Sequence, residues 1–206
     1  MHIYCTPYTP IPEPELLLAL LPPLRRDRLH QAGHHHPGPL SSYALLSLAL
    51  DRHCGISAET AIRYTDQGRP YLPRHPVHLS LSHSKTHALC VLAEFPVGCD
   101  IETHRIISDR VKRRVLALGE NPAEFFIHWT LKESAIKLAG RQDRPLSKIS
   151  FAITGDQATG EDTHGWFYRQ IPNATAAVLA HIPFPKPELT LIDQEMLFSY
   201  AVKKRG

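Results

Sequence analysis

Residues 125–137 read FFIHWTLKESAIK, contain neither glycine nor proline, and are rich in good helix formers, so they predict a helix. At about 100° per residue, one side of this helix is apolar and carries Ile127, Leu131, Ala135 and Leu138. Nearly opposite, at intervals of four residues, lie Trp129, Glu133 and Lys137. An aromatic ring, a carboxylate and an ammonium in one line predict the wall of a site. The alternative is an exposed Glu133–Lys137 ion pair on an ordinary surface helix.

A pair of carboxylates precedes this helix in the sequence. The runs His87–Ala93 and Val97–Glu102 are separated by Glu-Phe-Pro, which predicts two strands joined by a turn. Asp100 and Glu102 then point to the same face, because side chains alternate along a strand. Neighbouring carboxylates repel each other unless a cation or a proton lies between them. Mg²⁺, a hard cation with oxygen ligands, is the expected occupant, although a lone D-x-E pattern also occurs on solvated edge strands.

The composition is that of an ordinary globular protein: 206 residues, of which 43% are hydrophobic and 21% charged. A net charge of +3 is compatible with an anionic ligand or an acidic partner. The four cysteines show no C-x-x-C spacing, and three lie in apolar runs, which predicts buried free thiols in a reducing compartment. No signal-peptide pattern is present, and the longest apolar run, Leu16–Leu21, is too short to cross a bilayer. We therefore expect a cytoplasmic protein without membrane contact.

The rest of the chain predicts short helices and strands on both sides of a seam near Thr103. Helices are expected at Glu13–Leu21 and Leu40–Cys54, and strands at His2–Cys5, Ile62–Thr65, Val77–Leu81, Ile149–Ile153, Trp166–Ile171, Ala176–Ile182 and Leu189–Ile192. Leu24–Gln31 carries three arginines, either on a charged helix face or on an anion-binding edge. The histidine run 34–36 is not expected to converge on a metal, because consecutive loop residues rarely do. The basic tail 203–206 is expected to be frayed.

Four motifs follow one another in a specific order. They are Gly68-Arg69-Pro70, Leu81-Ser82-His83-Ser84, Val97-Gly98-Cys99-Asp100-Ile101-Glu102 and Trp129-Thr130-Leu131-Lys132-Glu133-Ser134-Ala135-Ile136-Lys137. In order and spacing they resemble the Sfp-type 4′-phosphopantetheinyl transferase superfamily, with its G-[KR]-P, S-H-S, V-G-[ILVC]-D-[IL]-E and W-[ST]-x-K-E-[AS]-x-x-K. The motifs lie within residues 60–140.

The resemblance implies an α+β fold of two similar α/β halves in a pseudo-twofold arrangement, with coenzyme A in the cleft between them. Residues 1–104 would supply the nucleotide contacts and the metal strand, and residues 105–206 the central helix and the carrier docking. The implied activity is that of a holo-acyl-carrier-protein synthase. It transfers 4′-phosphopantetheine from coenzyme A to a serine of an apo acyl carrier or peptidyl carrier protein and releases adenosine 3′,5′-bisphosphate. Mg²⁺, or Mn²⁺ in its place, is the implied cofactor, and a monomer without a nucleic-acid partner is expected.

The resemblance also implies roles for individual residues. Asp100, Glu102 and Glu133 correspond to the metal ligands of the family. Glu133 further corresponds to a base for the serine proton, directly or through water, and Lys137 to the residue at the α-phosphate and the leaving group. The residues implied to bind coenzyme A are Arg25, Arg28, Arg69, Ser82, His83, Lys132 and Lys137, with Ser82 and His83 at the 3′-phosphate. Those implied to dock the carrier protein are Arg105, Arg110 and Arg113.

The chain departs from the family where the helix predicted from Leu40 begins. Relatives often have Arg-Thr or Arg-Ser there, whereas this chain has Gly38-Pro39, so one phosphate contact is missing or replaced. Two other functions fit parts of the pattern. Another Mg²⁺-dependent phosphoryl-transfer enzyme, such as a nuclease, could use the same three carboxylates. A non-catalytic protein could bind nucleic acid through Arg105–Arg114, although a net charge of only +3 and the lack of a nucleic-acid motif disfavour it.

Overall fold

The computed structural model describes residues 1–8, 14–31, 37–140 and 144–205, and these ranges form the expected α+β fold. The helices are α1 (Pro14–Leu18), α2 (Pro23–Gln31), α3 (Pro37–Cys54), α4 (Ala58–Ala61), α5 (Asp109–Val115), α6 (Phe125–Ala139) and α7 (Gln194–Arg205). The strands are β1 (His2–Pro7), β2 (Arg63–Tyr64), β3 (Pro70–Tyr71), β4 (His78–His83), β5 (His87–Ala93), β6 (Gly98–Thr103), β7 (Ala152–Thr154), β8 (Gln157–Thr159), β9 (His164–Tyr168), β10 (Ala174–Ala180) and β11 (Leu189–Leu191). The histidine run 34–36 lies outside the described residues.

The first sheet has the strand order β11-β1-β5-β4. Its central strand β5 pairs antiparallel with both β1 and β4, and all seven residues of β5 are buried. Helix α3 covers one face of this sheet, and leucines of α3 that are fully removed from solvent fill the layer between them: Leu40, Leu45, Leu46 and Leu50. This half therefore has its own helix-on-sheet core.

The second sheet is antiparallel, with the order β6-β10-β9-β8-β7. Helix α6 packs across β6 and β10, and the apolar stripe expected from the sequence faces this core through Ile127, Leu131 and Leu138. Gly140 ends the helix in a left-handed conformation, with φ of 74° and an amide that donates to the carbonyl of Ile136. Both the expected helix and its stop at Gly140 are confirmed.

The two sheets exchange chain segments. Strand β6 precedes residue 104 in sequence but pairs with β10 of the second sheet. Conversely, β11 from the end of the chain pairs parallel with β1, and α7 packs Leu197 and Ala201 into the core beneath α3. The segments on either side of the predicted boundary are thus held together at two places.

A row of serines joins the sheets at their meeting edge. Ser80, Ser82 and Ser84 alternate along β4 and its end, and each makes a hydrogen bond to a group of β6. Ser80 Oγ accepts from the amide of Cys99, Ser82 Oγ donates to Asp100, and Ser84 Oγ lies 2.7 Å from the hydroxyl of Thr103. Hydroxyls therefore bridge the two strands where no backbone ladder does.

The ends of the chain differ most from expectation. The sequence predicts a frayed tail, but α7 is helical through Arg205, which corrects that expectation for the described residues.

Within the described ranges, no helix has both the length and the apolarity required to cross a bilayer.

Candidate functional site

A glycine lets α6 lie directly on β6. A Cβ placed on Gly98 would lie 2.0 Å from the carbonyl oxygen of Ser134 and 2.6 Å from the amide nitrogen of Leu138. Only a residue without a side chain allows this approach. Because the helix rests on the strand here, Glu133 and Lys137 reach the strand face that carries Asp100 and Glu102.

Lys137, Asp100 and Ser82 form a closed triangle of polar contacts. The Lys137 ammonium lies 2.8 Å from Oδ1 of Asp100 and donates to Ser82 Oγ at 2.7 Å. Ser82 Oγ in turn donates to the same Asp100 oxygen at 2.7 Å. Asp100 and Ser82 are buried, whereas 32% of the Lys137 side chain is exposed. The triangle therefore lies at the bottom of a cleft that solvent reaches through Lys137.

Two further carboxylates surround this triangle. Burial raises the pKa of Glu133, and the charge of Asp100 raises it further, against the opposing effects of Lys137 and Trp129. Burial likewise raises the pKa of Glu102, and Asp100 and Glu133 add to this rise while Arg105 opposes it. Burial alone would lower the pKa of Lys137, but Asp100, Cys99 and Glu133 together raise it. We call the five residues Ser82, Asp100, Glu102, Glu133 and Lys137 the cleft cluster.

The donor set of the cleft cluster fits a hard divalent cation. Among the described residues, the buried Oδ2 of Asp100 has no hydrogen-bond partner. Burial is the main cause of the raised pKa values of Glu102 and Glu133, and the repulsion among the three carboxylates adds to it, as expected for a site that takes up a cation. The carboxylates are not arranged as a finished ligand shell, since no group of three or more metal-binding side chains converges within the described ranges. Lys137 holds one Asp100 oxygen, and Arg105 holds Glu102 at 2.6 Å.

A cavity of about 470 Å³ opens on one side of the cleft cluster, and we call it the first cavity. Its lining includes Arg25, Tyr43, Arg69, His83 and Lys137. Arg69 follows a tight turn at Gly68, where φ is 80°, and its guanidinium reaches the carbonyl of Val97 at 3.4 Å. Arg25 lies 5.6 Å above the ring of Tyr43. The cavity thus combines cationic groups with an aromatic wall, which suits an anionic ligand that has a ring.

The start of α3 explains the departure at Gly38. A Cβ on Gly38 would lie 2.5 Å from the His83 ring and 2.8 Å from the Tyr8 hydroxyl. The imidazole of His83 therefore occupies the space that a side chain at position 38 would need. The other member of its motif, Ser82, does not line the first cavity, because its hydroxyl is turned into the triangle. Arg28, in α2, is exposed and also lies outside the lining.

A cavity of about 860 Å³, the second cavity, opens at the Glu133 end of the cleft cluster. Trp129 and Glu133 line it from α6, and Val111, Arg113 and Arg114 line it from α5. Lys137 therefore faces the first cavity and Glu133 the second, with Asp100 acting electrostatically on both. Ligands in the two cavities would therefore contact different members of the cleft cluster.

Comparison with known proteins supports the assignment that the motifs suggest. No family model matches the chain. The chain is 27% identical over 210 residues to the 4′-phosphopantetheinyl transferase Sfp of Bacillus subtilis (strain 168), covering 90% of this chain and 93% of that protein. It is also 30% identical over 104 residues to a second 4′-phosphopantetheinyl transferase of Bacillus subtilis, covering 44% of this chain and 46% of that protein. These likenesses support the resemblance to the Sfp-type superfamily that the four motifs carry.

One member of the WTLKES motif lies away from the cleft. Lys132 is fully buried, and its ammonium donates to the carbonyl of Val115 at 2.7 Å and pairs with Glu120. Burial lowers the pKa of Lys132, against the opposing effect of Glu120. Since Lys132 lines neither cavity, this position gives no support to the expectation that it binds coenzyme A. Its partners hold it in the interior instead.

Sequence reasoning missed the partners of Lys132. Oε2 of Glu120 also accepts from the amide of Ala117 at 2.8 Å, and its Oε1 lies 3.4 Å from Nδ1 of the buried His128. Burial lowers the pKa of His128, with Glu120 opposing this effect. We call Glu120, His128 and Lys132 the interior cluster. No signal in the sequence joins Glu120 to α6, because the contact depends on how the intervening loop turns back.

The residues expected to dock a carrier protein divide into two kinds. Arg105 is exposed but held, because it pairs with Glu102 and its guanidinium lies 5.0 Å above the Trp129 ring. Arg110 and Arg113 project from α5 into solvent. At the two ends of residues 105–118, which we call the α5 segment, Ile106 and Leu118 are completely exposed. The α5 segment therefore presents basic and apolar groups together beside the second cavity.

Proposed function

We propose that this protein transfers the 4′-phosphopantetheine group of coenzyme A to a serine of an apo acyl or peptidyl carrier protein, as a holo-acyl-carrier-protein synthase. Coenzyme A would occupy the first cavity, and the carrier serine would enter from the second. The observation that carries the proposal is the placement of Lys137 and Glu133 at the ends of one cluster, each facing a different cavity. A transfer between two ligands needs such a meeting point.

In the proposed reaction, the serine oxygen bonds to the phosphorus that carries pantetheine. The bond from this phosphorus to the bridging oxygen breaks, and adenosine 3′,5′-bisphosphate leaves with that oxygen. The serine proton passes to Glu133, directly or through water. A raised pKa makes the Glu133 carboxylate a stronger base than an ordinary glutamate. Lys137 remains protonated, since its pKa is raised, and its ammonium stabilises the charge that develops on the leaving phosphate.

The residues that would hold Mg²⁺ (or Mn²⁺) are Asp100, Glu102 and Glu133. When bound, the ion neutralises charge on the pyrophosphate. The orphaned Oδ2 of Asp100 and the excess negative charge around it support this placement. Arg105 pairs with Oε2 of Glu102 at 2.6 Å, so this oxygen would bind the ion only if Arg105 moved.

The nucleotide end of coenzyme A would lie among the cations of the first cavity. Arg69 and His83 flank Lys137 there, and Arg25 extends the basic wall over Tyr43. Arg28 lies outside the lining but in the same helix as Arg25. It would therefore attract the phosphates of coenzyme A at longer range, without direct contact. Arg25 is then the candidate to replace the contact that relatives make where this chain has Gly38-Pro39.

The carrier protein would dock on the α5 segment. Arg110 and Arg113 would attract an acidic carrier surface, and the exposed Ile106 and Leu118 would contact a small apolar patch on it. Arg105 lies between this surface and the cleft cluster. We further propose that the protein acts as a monomer, since Glu133 and Lys137 lie on one helix of one chain. We also propose that it acts in the cytoplasm, where its free cysteines would stay reduced.

The test is the intact mass of purified apo-carrier proteins after incubation with the protein, coenzyme A and Mg²⁺. We expect a gain of one phosphopantetheine unit on at least one acyl or peptidyl carrier. Carriers whose modified serine is replaced by alanine, and reactions without coenzyme A, serve as controls and must show no gain. A panel of fatty acid, polyketide and peptide carriers that all stay unmodified, while a known transferase modifies them, would contradict the proposal.

A further inference from the structure

The Arg105 side chain is exposed, yet its guanidinium has four separate contacts. Nη1 donates to Oε2 of Glu102 at 2.6 Å and to the backbone carbonyl of Thr103 at 2.9 Å. The same guanidinium lies 5.0 Å from the centre of the Trp129 ring and 5.9 Å from that of Phe126. Arginine stacks on aromatic faces in this way, so two rings and a backbone carbonyl fix the group independently of Glu102.

Trp129 is held in turn by the core. Its ring meets the ring of the buried Phe125 edge-on, with 5.1 Å between the centroids and 83° between the planes. The Trp129 side chain also makes a hydrogen bond to Glu133, one turn along α6, and the indole N–H is the only donor that it has. Trp129 therefore touches one carboxylate of the cleft cluster directly and reaches a second one, Glu102, through Arg105.

We propose that Trp129 and Arg105 are positioning residues for the divalent cation, which together hold Glu102 and Glu133 in the orientation that the ion requires. Arg105 takes Oε2 of Glu102, so Oε1 is the oxygen that this arrangement offers to the ion. The inference rests on the proposed function, since it concerns the metal ligands assigned there. It gives Arg105 a role that is separate from carrier docking, and it gives the tryptophan of the WTLKES motif a part in metal binding.

The need for such support follows from the length of a glutamate side chain. A glutamate without contacts populates many rotamers, and ordering it as a ligand costs conformational entropy. Mg²⁺ accepts only near-ideal octahedral geometry, so a misplaced oxygen is a poor ligand. Arg105 also opposes the rise that burial causes in the pKa of Glu102, which favours the ionised form that a metal needs. Hydrogen-bond partners of metal ligands commonly have this function, and their loss typically lowers metal affinity about 10- to 100-fold.

A second arginine of the chain provides a matched control. Arg169 also lies between a carboxylate and an aromatic ring. It pairs with Glu124 at 3.2 Å, and its guanidinium lies 5.0 Å from the centre of the Phe167 ring. Neither partner belongs to the cleft cluster. Arg169→Lys therefore disturbs the same kind of stacked ion pair, with the same conservation of charge, without touching a metal ligand.

The experiment measures the dissociation constant of Mn²⁺ by titration of the full chain under electron paramagnetic resonance, with neither coenzyme A nor carrier present. Arg105→Lys keeps the charge but loses the planar group that stacks, so we expect this constant to rise about 10-fold. Trp129→Leu should raise it about 10- to 100-fold, because both carboxylates lose support. Adding Arg105→Lys to Trp129→Leu should weaken Mn²⁺ binding little further, since the arginine has then already lost its ring. Arg169→Lys should bind Mn²⁺ like wild type.

Two results would overturn the inference. One is an Mn²⁺ dissociation constant that is unchanged or lower in Arg105→Lys, and a lower one would show that the arginine competes with the ion for Glu102. The other is an equal rise in Arg169→Lys. If thermal melts show that Trp129→Leu does not fold, Arg105→Lys remains the test, because that side chain is on the surface.

A failure of this inference can be told apart from a failure of the proposed function. If wild type modifies a carrier and binds Mn²⁺, but the variants match its affinity, the inference alone is wrong. If wild type binds no Mn²⁺, the inference and the metal assignment are both wrong. If wild type binds Mn²⁺ more tightly than Arg105→Lys does but modifies no carrier, the inference stands and the proposed transfer is wrong.

Discussion

Helix α6 carries two lysines five residues apart, and each pairs with a carboxylate from another part of the chain. Lys137 belongs to the cleft cluster, where 32% of its side chain is exposed and carboxylates outnumber cations. Lys132 belongs to the interior cluster, where it is fully buried and also caps the carbonyl of Val115. An ammonium–carboxylate pair is therefore accessible to ligands in the cleft cluster and inaccessible in the interior cluster.

The two lysines respond to their surroundings in opposite directions. The pKa of Lys137 is raised, because Asp100, Cys99 and Glu133 outweigh the effect of burial. The pKa of Lys132 is lowered, because burial outweighs the effect of Glu120. An excess of negative charge marks the cleft cluster as a place that accepts a cation. The near balance of charge in the interior cluster marks a contact that holds the chain together.

The largest effect that we predict is on stability, at the interior cluster. Lys132→Met leaves Glu120 buried without its cation, so the free energy of unfolding should fall by about 3–5 kcal/mol in urea titrations. The matched variant Lys137→Met should cost far less, because that lysine is partly exposed. Adding Glu120→Gln to Lys132→Met should recover part of the loss. Equal losses of stability in the two lysine variants would contradict the distinction between the clusters.

The next largest effect is on turnover, at the cleft cluster. Asp100→Ala, Glu102→Ala and Glu133→Ala should each lower transfer by about 100- to 1,000-fold or more, because charge on the pyrophosphate is no longer neutralised and Glu133 no longer takes the proton. In Glu102→Ala and Glu133→Ala the melting temperature of the metal-free protein should not fall, since removing one crowded carboxylate relieves repulsion. In Asp100→Ala it should fall, because Lys137 loses its ion-pair partner and Ser82 its acceptor. Glu59→Ala, at an exposed ion pair with Arg26, is the control. Near-normal turnover of Asp100→Ala at ordinary Mg²⁺ would show that the metal assignment is wrong.

More of the cleft cluster than of the interior cluster can be predicted from the sequence, and the reason is physical. Periodicity predicts two separate pairs of the cleft cluster, since strand alternation joins Asp100 to Glu102 and the helical repeat joins Glu133 to Lys137. The family resemblance alone brings the two pairs and Ser82 together. The structure adds that Gly98 allows the close approach of strand and helix. The interior cluster depends on a loop that returns Glu120 to α6, and no local pattern encodes such a return. The motif alone therefore predicts Lys132 among the coenzyme A contacts, whereas the structure places it in the interior.

The same limit applies to the end of the chain. Helix α7 anchors itself through Leu197 and Ala201, a spacing of four residues that signals a helix but is set among polar residues. The parallel pairing of β11 with β1 joins opposite ends of the sequence, and its short strand gives no sign of its partner. The sequence thus predicts the strand at Leu189–Ile192, but neither its pairing with β1 nor helix α7.

A smaller effect should appear on the KM for coenzyme A when His83, which lines the first cavity, is replaced. We expect His83→Ala to raise KM for coenzyme A by about 10- to 100-fold, as for one charge-assisted phosphate contact, and to change KM for dephospho-coenzyme A much less. Arg69→Ala should raise both values. Steady-state kinetics with the two substrates make the comparison. Equal rises for both substrates in His83→Ala would mean that His83 does not touch the 3′-phosphate.

The smallest effect concerns the α5 segment, which the interior cluster holds through Val115 and Glu120. If this segment receives an acidic carrier, Arg110→Glu with Arg113→Glu should raise KM for the carrier several-fold and leave KM for coenzyme A almost unchanged. Exposed charges at the rim of an interface act mainly on the association rate and are screened by salt over about 10 Å at 0.1 M. The rise should therefore be larger at low ionic strength than at high.

The matched control for this double variant is Arg74→Glu with Lys203→Glu. It makes the same change of net charge on exposed residues outside the α5 segment. It separates docking from a general electrostatic effect, which would act on KM for the carrier in both variants alike. The measurement is KM for the carrier at two ionic strengths in wild type and both double variants. If Arg110→Glu with Arg113→Glu matches wild type at low salt, the α5 segment is a solvated basic helix. The interior cluster would then stabilise the fold without supporting a docking surface.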